Sequence, residues 1–215
     1  MPKSQVRTAV IDYGAGNIHS IARALSLAGL APVVASVPRE AEGAELLVLP
    51  GQGRFGQVAT MFRDSGFEPL VREHIAAGRP FLGICVGLQI LLEGSEEDPG
   101  IPGLGIVPGE VRRFRGRVRV PHMGWNRLWP TGDSPLLRGV PPGAYVYFAN
   151  SYYAVLHGQA AEAPGADTTY GTTTFRSAFS LGNVHATQFH PEKSQAVGWR
   201  VLANVRRSVI EGSAA

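Results

Sequence analysis

The covalent chemistry available to this 215-residue sequence starts from its single cysteine. Cys85 lies inside Arg79-Pro-Phe-Leu-Gly-Ile-Cys-Val-Gly-Leu-Gln-Ile-Leu-Leu92, with Gly83 and Gly87 two residues to either side. A lone cysteine is more often a buried small hydrophobe than a reactive group. The glycines shift that balance. An apolar strand running into the thiol, with a helix starting straight after it, forms the Gly-x-nucleophile-x-Gly turn that raises a side chain above the sheet. The turn is so sharp that the flanking positions need small residues. A helix N-terminus beneath the sulfur favours its thiolate.

A thiol nucleophile needs a base, and the base needs a group to orient it. Of the six histidines, only His190 has an acid two residues on, in Gln188-Phe-His-Pro-Glu192. Pro191 biases His190 toward extended backbone, where residues i and i+2 project to one side, so Glu192 can lie beside the imidazole. Alone the triplet also fits an exposed polar loop. Beside the cysteine turn it completes a set in the order Cys85, His190, Glu192. The charge of a tetrahedral intermediate further requires an oxyanion hole. The Val86 N–H is one expected donor. Pro50-Gly51-Gln52-Gly53 offers a second, although an ordinary glycine turn reads the same way.

These residues need a scaffold. The first 95 residues alternate strands (Thr8–Ile11, Pro32–Ser36, Leu46–Leu49, Phe81–Ile84) with helical patterns (Ile18 to Ala28, Met61–Ala77, Val86–Leu92). Such βαβα alternation predicts a mainly parallel sheet covered by helices on both faces. From Gly103 to Phe189 the pattern becomes short β-rich segments: 106–114, 118–129, 145–155, 172–175 and 185–189. A final amphipathic helix covers roughly Ser194 to Ile210. The expected fold is therefore three-layer α/β, with a mainly parallel central sheet and a smaller antiparallel β portion in the second half. One domain over 1–215 is the economical division, with tails near 1–5 and 211–215.

Composition narrows the function classes. Hydrophobic residues make up 44% and the net charge is +3, ordinary for a globular chain. Lys3 and Lys193 are the only lysines, so the positive charge is nearly all arginine. Arg112, Arg113, Arg115, Arg117 and Arg119 alternate, which suits the solvent face of a strand or hairpin, or a protein-docking surface, rather than a nucleic-acid stripe. One cysteine excludes an intrachain disulfide and a CxxC metal site. The start, MPKSQVRTAVIDYG, has no signal-peptide pattern, and no apolar run approaches the ~20 residues that span a bilayer. A soluble cytoplasmic protein is expected, with neither metal nor cofactor.

The cysteine turn, the Pro-Gly-x-Gly loop and the Phe-His-Pro-Glu triplet together resemble the class I (triad) glutamine amidotransferases. Ile11-Asp-Tyr-Gly-Ala-Gly-Asn-Ile-His-Ser20, Pro121-His-Met-Gly-Trp-Asn126 and His190-Pro-Glu-Lys-Ser194 are similar to the glutaminase subunits of imidazole glycerol phosphate synthases. The likeness implies glutamine hydrolysis by Cys85, with His190 moving the proton and Glu192 orienting it. It places Gln89 at the amino-acid end of the substrate, with Gly53 and the Ser151-Tyr152 backbone as further contacts. It also implies a (β/α)8-barrel cyclase partner meeting Met123, Trp125, Asn126, Tyr147 and Lys193. From spacing alone, Met123, Trp125 and Tyr147 read equally as core, and Lys193 as a solvated charge. Two positions depart from the family: Gln52 replaces a small branched residue, and Asn150 stands where His is common. A glutaminase serving another pathway, a binding module without turnover, and a cysteine hydrolase of another fold stay open beside this reading.

Overall fold

The large sheet has the strand order β2-β1-β3-β4-β12-β11-β10-β7-β8 in a computed structural model that describes residues 6–212. Its parallel region is built from β1 (Val6–Ile11), β2 (Leu30–Ala35), β3 (Leu46–Gly51), β4 (Phe81–Cys85) and β12 (Val184–Thr187). Leu46 to Leu49 and Phe81 to Cys85 are buried continuously, as strands covered on both faces must be. The helices α1 (Ile18–Leu27), α2 (Pro38–Ala41), α3 (Phe55–Asp64), α4 (Glu68–Ala76), α5 (Val86–Gln89) and α6 (Gln195–Gly212) flank it, with α1 packing against α6 and α3 against α5.

Past β12 the sheet turns antiparallel through β11 (Thr173–Leu181), β10 (Gly165–Tyr170), β7 (His122–Thr131) and β8 (Ala144–Asn150). The antiparallel portion is thus a continuation of the central sheet, with as many strand pairings as the parallel part. A second sheet joins β5 (Gly94–Ser95), β6 (Gly109–Arg113) and β9 (Tyr152–Leu156).

Several elements differ from expectation. The single helix predicted over 61–77 is two: Gly66, at φ +75°, breaks the chain, and Pro69 starts the second. Helix α5 closes at Gln89 rather than reaching Leu92, so the support beneath the sulfur is one turn of N–H groups. The extended run 145–155 splits at Ser151 between two sheets. β10 was not anticipated, because Gly165-Ala-Asp-Thr-Thr-Tyr170 looks like a turn. Of the five alternating arginines only Arg112 and Arg113 lie on a strand; Arg112 pairs with Glu110, and Arg115 with Glu96 at 3.3 Å. Glu211 and Gly212, expected in a tail, belong to α6; residues 1–5 and 213–215 lie outside the described residues.

Candidate active site

Three neighbouring parallel strands deliver the site at their carboxyl ends, where ligands bind in open α/β sheets. Gly51 of β3 sits level with Cys85 of β4, and Thr187 of β12 level with Ile84, so the chain leaving β12 carries Gln188 and His190 past the sulfur. Cys85 adopts φ 55°, ψ −111°, a left-handed conformation strained for a residue with a Cβ. The glycines explain how the turn closes. A Cβ on Gly87 would lie 1.9 Å from the Leu49 oxygen, and one on Gly51 would lie 2.5 Å from the Gly87 nitrogen. One on Gly83 would crowd the Gly87 oxygen at 3.0 Å. Main chain therefore meets main chain between the Pro-Gly-Gln-Gly loop and the cysteine turn, setting the loop beside the Val86 N–H.

His190 approaches from the other side. Its Nδ1 meets Glu192 Oε1 at 2.9 Å, with both side chains almost wholly buried. Burial opposes the imidazolium, but hydrogen bonds to Cys85 and Glu192 and the charges of both outweigh it. Together they push the His190 pKa up to about 10. The backbone clamps this arrangement. The His190 N–H donates to the Tyr147 oxygen at 2.9 Å, the Ser194 hydroxyl donates to the His190 oxygen at 2.6 Å, and the Tyr147 N–H donates to that hydroxyl at 3.0 Å. A Cβ on Gly198 would lie 1.9 Å from the Pro191 oxygen, so α6 presses directly on the triplet.

A cavity of about 310 Å³ opens above the sulfur. Gln52, Gly53, Cys85, Val86, Gln89, Ser151, Tyr152 and His190 line it, together with Met123 and Lys193 at the side expected to face a partner. Gly51 lies beneath the wall and Glu192 behind His190. Trp125, Tyr147 and Asn126 do not line the cavity. Trp125 is half exposed and meets the Tyr147 ring edge-on at 6.0 Å, while Lys193 Nζ stands 5.6 Å above that ring. Met123 is 66% exposed, so the reading of these residues as plain core fails for Met123 and Trp125. The Asn126 amide turns inward, to His122 Nε2 at 3.3 Å and the Thr169 oxygen at 3.0 Å.

Sequence reasoning missed four contributors. Glu97 lines the cavity while its Oε2 accepts the Phe55 N–H at 2.8 Å, and Asp98 accepts the Gly56 N–H at 2.8 Å. The two acids thereby cap α3, the helix that follows the glycine loop. The Tyr13 hydroxyl donates to the Pro50 oxygen at 2.7 Å, holding the loop's root; burial, then the charges of Cys85 and Asp12, push its pKa well above the tyrosine range. Gln188 touches the sulfur itself. Tyr13 and Gln188 stand inside recognisable motifs, but nothing local marks their partners. Among the described residues no cluster of three or more His, Cys, Asp or Glu could hold a metal, and no helix is long and apolar enough to cross a membrane.

This geometry suits attack of sulfur on an amide carbonyl, and similarity to known proteins points the same way. The profile of the family described as Glutamine amidotransferase class-I matches residues 9–205. The chain is 52% identical over 202 residues to "Imidazole glycerol phosphate synthase subunit HisH" of Deinococcus radiodurans, covering 93% of each. It is 50% identical over 204 residues to the protein of that name from Thermus thermophilus, covering 94% of this chain and 97% of that one. In fold it is similar to a crystallised glutamine amidotransferase, with TM-score 0.72 at 20% identity over 96% and 99% of the two chains. A structure of PurLQS from Thermotoga maritima gives TM-score 0.72 at 19% identity, over 97% and 99%. With the family profile spanning nearly the whole sequence and relatives half identical end to end, this chain belongs to the class-I glutamine amidotransferases, among their HisH subunits.

Proposed function

We propose that the chain is one cytoplasmic amidotransferase domain that hydrolyses glutamine to glutamate and ammonia. It passes the ammonia to a (β/α)8-barrel cyclase that makes imidazole glycerol phosphate in histidine biosynthesis. The Cys85 thiolate attacks the side-chain amide carbon, and N–H groups of Val86 and the glycine loop receive the oxyanion. His190, as imidazolium, protonates the departing nitrogen, leaving a glutamyl thioester and releasing ammonia. Neutral His190 then takes a proton from water, hydroxide adds to the thioester, and glutamate leaves as the thiolate reforms. Glu192 fixes the ring throughout. Gln89, Gly53 and the Ser151-Tyr152 backbone hold the amino-acid end. The observation that carries this reading is the buried His190–Glu192 pair facing the Cys85 sulfur.

The exposed Met123–Trp125–Tyr147–Lys193 face borders the cavity and is the surface assigned to the cyclase. Transfer inside a complex has a chemical motive, since ammonia released into neutral water is mostly protonated and no longer nucleophilic. Cys85→Ala is expected to lower glutamine hydrolysis by at least about 10⁴-fold while the complex still uses free ammonia. Loss of both activities contradicts this division of labour. The glycine loop can hold its N–H groups away from the cavity at rest, so the isolated chain should turn over slowly until partner and ligand bind. Fast turnover by the lone chain refutes that.

A further inference from the structure

Gln188 is fully buried, two residues before His190, and the steps above give it no task. Its Nε2 lies 3.7 Å from Cys85 Sγ, within reach of an N–H···S hydrogen bond. Its Oε1 accepts from Gln89 Nε2 at 3.0 Å, and Gln89 Nε2 also donates to the Tyr152 main-chain oxygen at 3.1 Å. That second contact fixes the polarity of the whole chain. A carbonyl only accepts, so Gln89 must turn its NH2 toward Tyr152. The same NH2 then demands an acceptor on Gln188, which leaves the Gln188 NH2 aimed at sulfur. The Tyr152 oxygen is itself held by Asn150 Nδ2 at 2.8 Å.

We propose that Gln188 is a positioning residue for the nucleophile: its amide donates to the Cys85 thiolate and holds the sulfur between imidazole and cavity, with Gln89 locking the amide's orientation. The proposal rests on Cys85 being the nucleophile. A buried donor aimed at sulfur favours the anion over the thiol, which accepts only weakly. It also joins the sulfur to the Tyr152 main chain, where the substrate's amino-acid end is expected. The other ionisable groups near the sulfur are His190 with Glu192 behind it, Tyr13 from the turn after β1, and Glu97 and Lys193 on the cavity wall. All of them remain when Gln188 is replaced.

The test is the rate of Cys85 alkylation by iodoacetamide across pH, read by intact mass on the full-length chain, for wild type and Gln188→Met. Methionine keeps the length and removes the donor. The reactivity midpoint should rise by about one pH unit, slowing alkylation about tenfold below it. The acidic limb of kcat for glutamine hydrolysis should move with it, while KM changes less. Gln89→Met, which frees the amide to turn, should shift the midpoint the same way by a smaller amount. It carries the test if Gln188→Met does not accumulate as folded protein. A midpoint unchanged from wild type in the folded variants overturns the proposal. Glutamine hydrolysis that survives complete alkylation of Cys85 instead overturns the assignment of the nucleophile, a separate result.

Discussion

From β2 to β12 the strands of the large sheet run parallel, and from β12 to β8 they run antiparallel; the two regions carry different tasks. The inner parallel strands β3, β4 and β12 are sealed on both faces and bring the glycine loop, Cys85 and His190 to one edge through main-chain contacts. The antiparallel strands keep apolar side chains in the open: Met123, Trp125, Trp129 and Tyr145 are all more than two-fifths exposed. Chemistry that needs atoms held to a fraction of an ångström sits where backbone packs on backbone. Recognition sits where a half-solvated sheet face can still be covered. Exposed apolar groups clustered on one face mark such a surface.

The strongest way to break this contrast is to add a methyl group to each region. Gly87→Ala puts a Cβ 1.9 Å from the Leu49 oxygen and should cost at least about 3 kcal/mol, with loss of glutaminase activity. Gly124→Ala on β7 meets nothing within 4 Å and pays only for its φ of +129°. About 1 kcal/mol is expected there. Thermal melts of the two variants decide the matter, and equal losses would erase the distinction.

Histidines sharpen it through pH. Burial pushes His185 on β12 and His122 on β7 down to about 4, so both are neutral in the folded protein. Their contribution to stability is complete above the ordinary pKa near 6.5 and is lost as pH falls toward 4. For His185 alone the limit is about 3 kcal/mol. His190 has the opposite sign: raised to about 10, its contribution is full below about 6.5 and fades as pH climbs through 10. Urea midpoints between about pH 7 and 4 should fall less steeply for His185→Gln than for wild type; parallel curves would count against a neutral His185. The smallest effect belongs to the exposed face. Lys193→Ala removes the cation that holds the Tyr147 ring and should weaken binding of the proposed cyclase partner no more than about a few-fold. Unchanged affinity by calorimetry would remove Lys193 from that surface.

The two regions also differed in how plainly the sequence spoke. β3 and β4 are continuous apolar runs, the signature of sealed strands, and β1 ends in one, so their positions were legible to within about two residues. The grouping of Cys85, His190 and Glu192 was legible because each sits in a spaced motif. β10 was not, since it is polar, starts with glycine and carries a register shift at Ala166/Asp167, all of which imitate a turn. The passage from β8 to β9 was hidden because the chain stays extended while it changes sheets at Ser151. Gln188 and Tyr13 were visible only as letters of motifs. Their contacts, to Cys85 103 residues away and to Pro50 37 residues away, exist only after folding.

Tyr147 belongs both to the site and to the outer face. Its peptide accepts the His190 N–H and is tied through the Ser194 hydroxyl to the His190 oxygen, while its ring stands outside between Trp125 and Lys193. A single residue is therefore both a handle on the outer wall and the bracket from which His190 hangs. Whatever covers the Tyr147 ring therefore touches the same residue whose peptide holds His190 in place.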